Sequence, residues 1–351
     1  LVNSSHSGGR YFLVVSRWWR LVDEEMMLHK GTEIRNFSVW SHRNVKHINF
    51  NHQKRPYNIL DMETLDELDY ILDNFVINTE YSYGYPETKG YRGVIFSSSK
   101  GSFVVGANVK DFVDAHDAPD WDIDKILKKG QDVFNKIEDL NIPTVAIMKG
   151  ITMGGGLELA LACASRILIE NPVPEDTEYT THQLTKLALP EVKLGILPSW
   201  GGTTRLPRII DPVKAMELIC SGRNVGESEA LKIGLVDEIV ESHKAEERAH
   251  NIINTIDHRS IQAYKCVPPN VSKFKMMLAG MYTKWLIGRK QKKMFGDKNK
   301  YPSPYKALDT FKYCLTLHRY MSQKEERKAF IPLVKSDQCK ELVGRFLKGE
   351  R

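Results

Sequence analysis

The chain has 351 residues, 42% of them hydrophobic and 27% charged, with a net charge of +6. That length holds one large domain plus an appendage, and that balance fits a soluble globular protein. No apolar run approaches the roughly 20 residues that span a bilayer, the five cysteines read as reduced thiols with no disulfide framework, and the dispersed histidines show no zinc motif, so no metal site is expected.

Residues 1–30 stand apart as an atypical N-terminal extension. Arg10 to Leu21 is basic and aromatic, but Asp23-Glu24-Glu25 follows at once, which a transit peptide would lack. Met26 or Met27 would serve as a start. Strands are expected at 38–40 and 45–50 around a turn at His42-Arg43-Asn44. Leu65, Leu68, Leu72 and Phe75 fall at helical spacing and predict a helix over 62–76. A buried strand is expected over 93–97, a helix over 126–140, a strand over 144–148 and a helix over 157–168. Helices follow over 213–220, 227–233 and 245–256. Strands alternating with helices imply an α/β fold with crossover connections. From Ser272 onward the pattern is all-helical, broken at Pro302 and Pro304.

Between Lys265 and Lys298 lie nine Lys or Arg and a single acid, Asp297. Phe274, Met277, Leu278, Met281 and Trp285 fall on one helical face there. A docked amphipathic helix fits this pattern, and so does a surface for membrane lipid or acyl-CoA phosphates around 273–293. Nucleic acid is not expected, because no stacking motif accompanies the charge.

The chemistry concentrates in Ile151-Thr152-Met153-Gly154-Gly155-Gly156-Leu157-Glu158. Three glycines at a strand-to-helix junction suit a tight bend or a close approach to a ligand. A helix starting there aims free N–H groups outward, where they can hold an oxyanion, with Glu158 in its first turn. Donors beside a carboxylate suit carbonyl chemistry; a plain glycine turn with a capping Glu is the alternative. A second carboxylate, Glu191, sits in Leu189-Pro190-Glu191-Val192-Lys193-Leu194-Gly195, ahead of a loop fixed by Pro198, Gly201, Gly202 and Pro207.

Together with Gly101–Phe112 and Ser221–Asp237, these segments in this order resemble the crotonase superfamily, over roughly Glu33 to Val240. They look most like the enoyl-CoA hydratase part of multifunctional fatty-acid oxidation alpha subunits. Tyr301-Pro302-Ser303-Pro304 and Ser336–Phe346 are similar to the helical linker that follows in those subunits. The resemblance implies a spiral of β-β-α repeats over 31–258, then an all-helical linker over 259–351. It also implies a longer parent, in which a 3-hydroxyacyl-CoA dehydrogenase domain would bind NAD; this chain carries no Gly-x-Gly-x-x-Gly turn of its own and needs no cofactor.

By resemblance, the N–H groups of Ala107 and Gly155 hold the thioester oxygen. Glu158 activates water and Glu191 delivers a proton to C2. Ala107, Asn108, Val109, Lys110, Gly154 and Gly155 line the CoA site, with Lys110 near its charged part. Asn108 and Ala164 depart from the common Asp at their positions, and polar loops at 81–91 and 170–181 are added. Enoyl-CoA hydration is the leading expectation. Enoyl isomerisation, another crotonase reaction or a non-catalytic acyl-CoA-binding scaffold are the alternatives. The family further implies a thiolase beta subunit as partner, and a bacterial cytoplasmic or mitochondrial matrix location.

Overall fold

In the computed structural model, residues 34–78, 87–171, 185–256, 272, 277–278, 280–285, 288–289 and 302–350 are described. The inserted loops at 81–91 and 170–181, the extension 1–30 and most of 259–301 thus lie largely outside the described residues.

A hairpin opens the fold. β1 (Phe37–His42) and β2 (Val45–Phe50) pair antiparallel, with Trp40 opposite His47. Arg43 and Asn44 join them at φ 50° and 59°, the left-handed pair that a two-residue hairpin turn requires. β2 then anchors a parallel run: β5 (Gly93–Ser98), β6 (Thr144–Met148), β8 (Ser165–Ile169) and β10 (Glu238–Val240). The six-stranded order is β1-β2-β5-β6-β8-β10. Two short pairs accompany it, β3 (Ile77–Asn78) with β4 (Glu87–Thr88), and β7 (Ile151–Met153) with β9 (Lys186–Ala188).

Helices cover both faces. α1 (Met62–Ile71) is capped by Asp61, whose side chain accepts from the Thr64 N–H, and ends in a π turn over Leu72–Val76. α2 (Asp111–Ala115), α3 (Asp120–Asp139) and α4 (Gly155–Ala162) follow. Next come α5 (Gly202–Ile209), α6 (Pro212–Ser221), α7 (Glu227–Lys232) and α8 (Ala245–Thr255). α8 closes one face of the sheet over Val45, Ile95, Val145, Ile147 and Ile167. The opposite face carries the large core, including Ile48, Phe50, Phe96, Phe103 and Phe134.

The helix expected over 157–168 is corrected: it ends at Ala162, and Ser165–Ile169 is a strand. Cys163 adopts extended backbone, and the Ala164 N–H donates to Thr144 Oγ1 at 2.8 Å. A short apolar run satisfies either period, and the open slot between β6 and β10 decides it. Pro302 and Pro304 start a helix rather than break one. Pro302 caps α9 (Ser303–Thr316), and Pro304 occupies its first turn, where no intrahelical N–H is needed.

α9, α10 (Arg319–Val334) and α11 (Asp337–Leu347) are built into the same core, through Ala307, Phe311, Phe330, Leu333, Val334 and Val343. A buried ionic knot ties them in. Arg205 donates to Glu138 Oε2 at 2.8 Å, Asn135 Oδ1 at 2.6 Å and the Trp200 carbonyl at 2.8 Å. Arg319 reaches Glu138 at 3.0 Å and Asp139 at 2.6 Å. Deleting one partner strands buried polar groups. Arg205→Met is expected to cost about 3 kcal/mol, read as a lowered midpoint in denaturant unfolding.

Along the basic stretch, Met277, Leu278, Met281, Tyr282 and Trp285 are exposed, so the described part of that segment is not docked through its apolar face. Among the described residues no helix is long and apolar enough to cross a membrane.

Candidate active site

The glycine run sits where β7 hands over to α4. Gly154 holds φ 52° and ψ −129°, a conformation costly to any residue with a Cβ. A Cβ there would lie 3.0 Å from Glu191 Oε1. A Cβ on Gly155 would meet the Trp200 ring at 2.5 Å, and one on Gly156 the Val104 carbonyl oxygen at 2.2 Å. The three glycines therefore let α4 begin in direct contact with a backbone carbonyl, an indole and a carboxylate.

The segment Val104–Ala107 runs beside this junction. Met153 N–H donates to the Val104 carbonyl at 3.1 Å, and Gly106 takes φ 107° against the Met153 carbonyl. Leu60 N–H donates to the Gly106 carbonyl at 2.9 Å, and Asn108 N–H to the Leu60 carbonyl at 3.3 Å. Those bonds skip Ala107. Among the described residues, the N–H groups of Ala107 and Gly155 donate to no protein acceptor.

Two carboxyl groups face this corner. Glu158 is buried in the first turn of α4; its Oε1 accepts from Trp200 N–H at 2.9 Å and Gly202 N–H at 2.7 Å. Glu191 opens a 3₁₀ turn, Glu191–Leu194, closed by Gly195 at φ 82°. Its Oε2 is buried and has no hydrogen-bond partner in the protein. Burial pushes the Glu158 carboxyl up to about 8, helped by the Glu326 charge and opposed by the two backbone donors. Burial, then the Glu158 charge, drives Glu191 well above the ordinary carboxylate range. The asymmetry is physical. Glu158 has two backbone donors from other residues to stabilise its anion, and Glu191 has none, so Glu158 ionises first.

Glu326 was invisible to sequence reasoning. It projects from α10, and its Oε1 accepts from Thr204 N–H at 3.0 Å, Thr204 Oγ1 at 2.9 Å and Thr203 Oγ1. Gln131 bridges its Oε2 at 3.3 Å to the Ser199 carbonyl at 2.7 Å, and Arg327 donates to Gln131 Oε1. This network fixes the 199–204 loop whose amides hold Glu158. No motif marks it, because the contact spans the chain.

The remaining residues expected to bind CoA form one short stretch. Ala107, Asn108 and Val109 are half-buried and Lys110 is exposed at the start of α2. Asn108 Nδ2 donates to Asp111 Oδ1 at 2.6 Å. The amide thus tethers the loop to α2 through a donor that a carboxylate would lack.

A profile of the enoyl-CoA hydratase/isomerase family matches residues 41–278. The chain is 33% identical over 303 residues to the fatty acid oxidation complex subunit alpha of Idiomarina loihiensis. That match covers 84% of this chain and 38% of the relative, so the chain spans well under half of that protein's length. An enoyl-CoA hydratase of Bacillus halodurans superposes with a TM-score of 0.59 at 21% identity, covering 88% of this chain and 99% of the other. A carnitinyl-CoA dehydratase of Mycobacterium thermoresistibile gives 0.63 at 16% identity, with 90% of each chain covered. At those identities the two structures speak to the fold alone, which is the crotonase fold; the profile and the subunit alpha match speak to descent, and the chain belongs to the enoyl-CoA hydratase/isomerase (crotonase) family.

Proposed function

We propose that the chain hydrates 2-trans-enoyl-CoA thioesters to 3-hydroxyacyl-CoA. One observation carries this reading: two buried carboxyl groups, one held by two backbone donors and the other with an unpartnered oxygen, converge beside two backbone N–H groups that have no protein acceptor among the described residues. The thioester oxygen takes the N–H groups of Ala107 and Gly155, fixed dipoles that need no reorganisation as charge arrives. Glu158, with Oε1 held by the loop, removes a proton from water through its other oxygen. The water oxygen bonds to C3, and the C2–C3 π pair moves toward the thioester oxygen. As the enolate collapses, C2 takes the proton that Glu191 holds. Every proton transfer uses a side chain, so the reaction needs no cofactor in this chain.

The second reading, double-bond isomerisation from 3-enoyl to 2-enoyl thioester, is supported by the unpartnered Glu191 Oε2, which is free to move a proton between C4 and C2. Crotonyl-CoA, a long-chain 2-enoyl-CoA and a 3-enoyl-CoA separate the two. Hydration predicts loss of the conjugated-thioester absorbance with the first two substrates. Gain of that absorbance from the third alone overturns the hydratase reading, and acyl-CoA binding without turnover supports a scaffold.

The charge asymmetry also fixes a pH profile. Because Glu158 must be ionised, kcat/KM is expected to rise as pH passes through about 8. It should fall at higher pH as Glu191 loses the proton it must donate. Glu326→Gln removes one of the charges that raise Glu158, so the rising limb should move to lower pH.

The resemblance to a much longer relative supports a parent protein with an NAD-dependent dehydrogenase domain and a thiolase partner. The exposed Met277, Met281 and Trp285, with Arg289 stacked on Trp285 at 4.8 Å, support peripheral contact with anionic membrane lipid.

A further inference from the structure

Away from the carboxylate pair, the fold gathers a second group of polar side chains. His47 points from β2 to the sheet face covered by α8, the face of Val45 and Ile95 and not that of Ile48 and Phe50. Glu246 and His250 stand four residues apart on α8, hence on one side of the helix. One candidate ligand atom from each of His47, Glu246 and His250 lies within 4.8 Å of the others. His47 Nε2 and Glu246 Oε1 are 3.8 Å apart, too far for a hydrogen bond.

The burial is what makes the group unusual. His47 and His250 are 1% and 8% exposed, and the Nε2 atom of each is buried with no hydrogen-bond partner in the protein. Buried polar atoms nearly always have partners, so two orphaned imidazole nitrogens on rings 5.4 Å apart suit a shared one. The rings are well held. His47 stacks on Trp40 at 4.9 Å and lies 5.4 Å from the His250 ring.

We propose that His47, Glu246 and His250 form a binding site for a borderline divalent cation of the zinc class, pinning α8 to the β1–β2 hairpin. Two imidazoles and one carboxylate are a donor set zinc accepts. Metal–nitrogen bonds of about 2.0–2.1 Å put tetrahedral ligands roughly 3.3 Å apart, so the group must contract by about an ångström. Glu246 can supply its share of that movement, because its side chain is 60% exposed and free to swing inward. The fourth position falls to water or to His42, whose ring lies 5.6 Å from that of His250. Neutral imidazole is the form that ligates metal.

No step of hydration passes through this face, so the site is structural and its occupancy separable from turnover. The test is a titration of the purified, chelator-treated full chain with Zn²⁺, and with Co²⁺ as a visible-absorbance probe. One metal per chain is expected, with tetrahedral cobalt absorbance and a rise in thermal midpoint on adding zinc. Glu246→Gln, at an exposed position, should fold normally, keep its hydration rate, and bind zinc at least ~10-fold more weakly, since losing even a group that only supports a ligand costs ~10–100-fold. His250→Gln should abolish the cobalt spectrum, whereas His243→Gln, at an exposed neighbour paired with Glu241, should leave it unchanged. Zinc binding of equal strength in wild type and Glu246→Gln, or no binding at all, would overturn the proposal.

Discussion

Glu158→Gln and Glu191→Gln are each expected to lower kcat for 2-enoyl-CoA hydration by ~10²–10⁴-fold, the range that a positioned general acid or base supplies. Both substitutions keep volume and a carbonyl oxygen. In Glu158→Gln that oxygen would still accept from the Trp200 and Gly202 N–H groups, so the loop should stay in place. KM should therefore change little, which separates lost chemistry from lost binding. The Glu158 variant also has a consequence for stability. Above the ordinary carboxylate range and up to about 8, the folded protein holds a proton on Glu158 that the unfolded chain has released. Folding then binds protons, and stability falls as pH rises through that window, by about 1.4 kcal/mol per pH unit for one full proton. Glu158→Gln removes that slope and should raise the thermal midpoint near neutral pH while lowering turnover. A Glu158→Gln protein that retains hydration within about tenfold of wild type would refute the assignment of the base.

That stability cost marks where local rules stop describing the molecule. The turn at Arg43-Asn44, the strand Thr144–Met148 and the helices at Pro212–Ser221 and Glu227–Lys232 follow from periodicity and capping residues close in the sequence. Ser165–Ile169 does not, because whether it is helix or strand depends on a vacancy between β6 and β10 that no local pattern encodes. The site divides in the same way. Gly154–Gly156 and Glu158 are legible as a helix start with a carboxylate, since their meaning lies within one turn. Convergence of Glu191 on that turn came only from resemblance. Glu326 lies far beyond Glu158 in the sequence, and its influence exists only because α10 packs over the 199–204 loop. The His47–Glu246–His250 group is equally non-local, with each residue ordinary in its own element.

Gly156→Ala is the second change with a large expected effect, and it tests how tightly fold and site are joined. The added methyl would lie 2.2 Å from the Val104 carbonyl oxygen and 2.8 Å from the Val104 carbonyl carbon. Those are backbone atoms of a segment fixed on both sides, by Met153 N–H at the Val104 carbonyl and by Val105 N–H at the Asn58 carbonyl. No rotamer relieves the clash, so α4 and residues 104–107 must part by about an ångström. Overpacking of this kind costs typically about 1–3 kcal/mol, and displaced backbone adds to it. The catalytic cost is expected to be larger. The two segments forced apart are the ones that carry the N–H groups of Ala107 and Gly155, and a donor displaced from the oxyanion costs ~10²–10³-fold in kcat. Gly156→Ala should therefore lose both stability and turnover, while Gly226→Ala, with open space around its Cβ position, should lose neither. Circular dichroism melts and crotonyl-CoA turnover on the two variants check this. Turnover preserved in Gly156→Ala would mean that the thioester oxygen is held elsewhere, since the paired amides cannot keep their spacing with a methyl group driven between their segments.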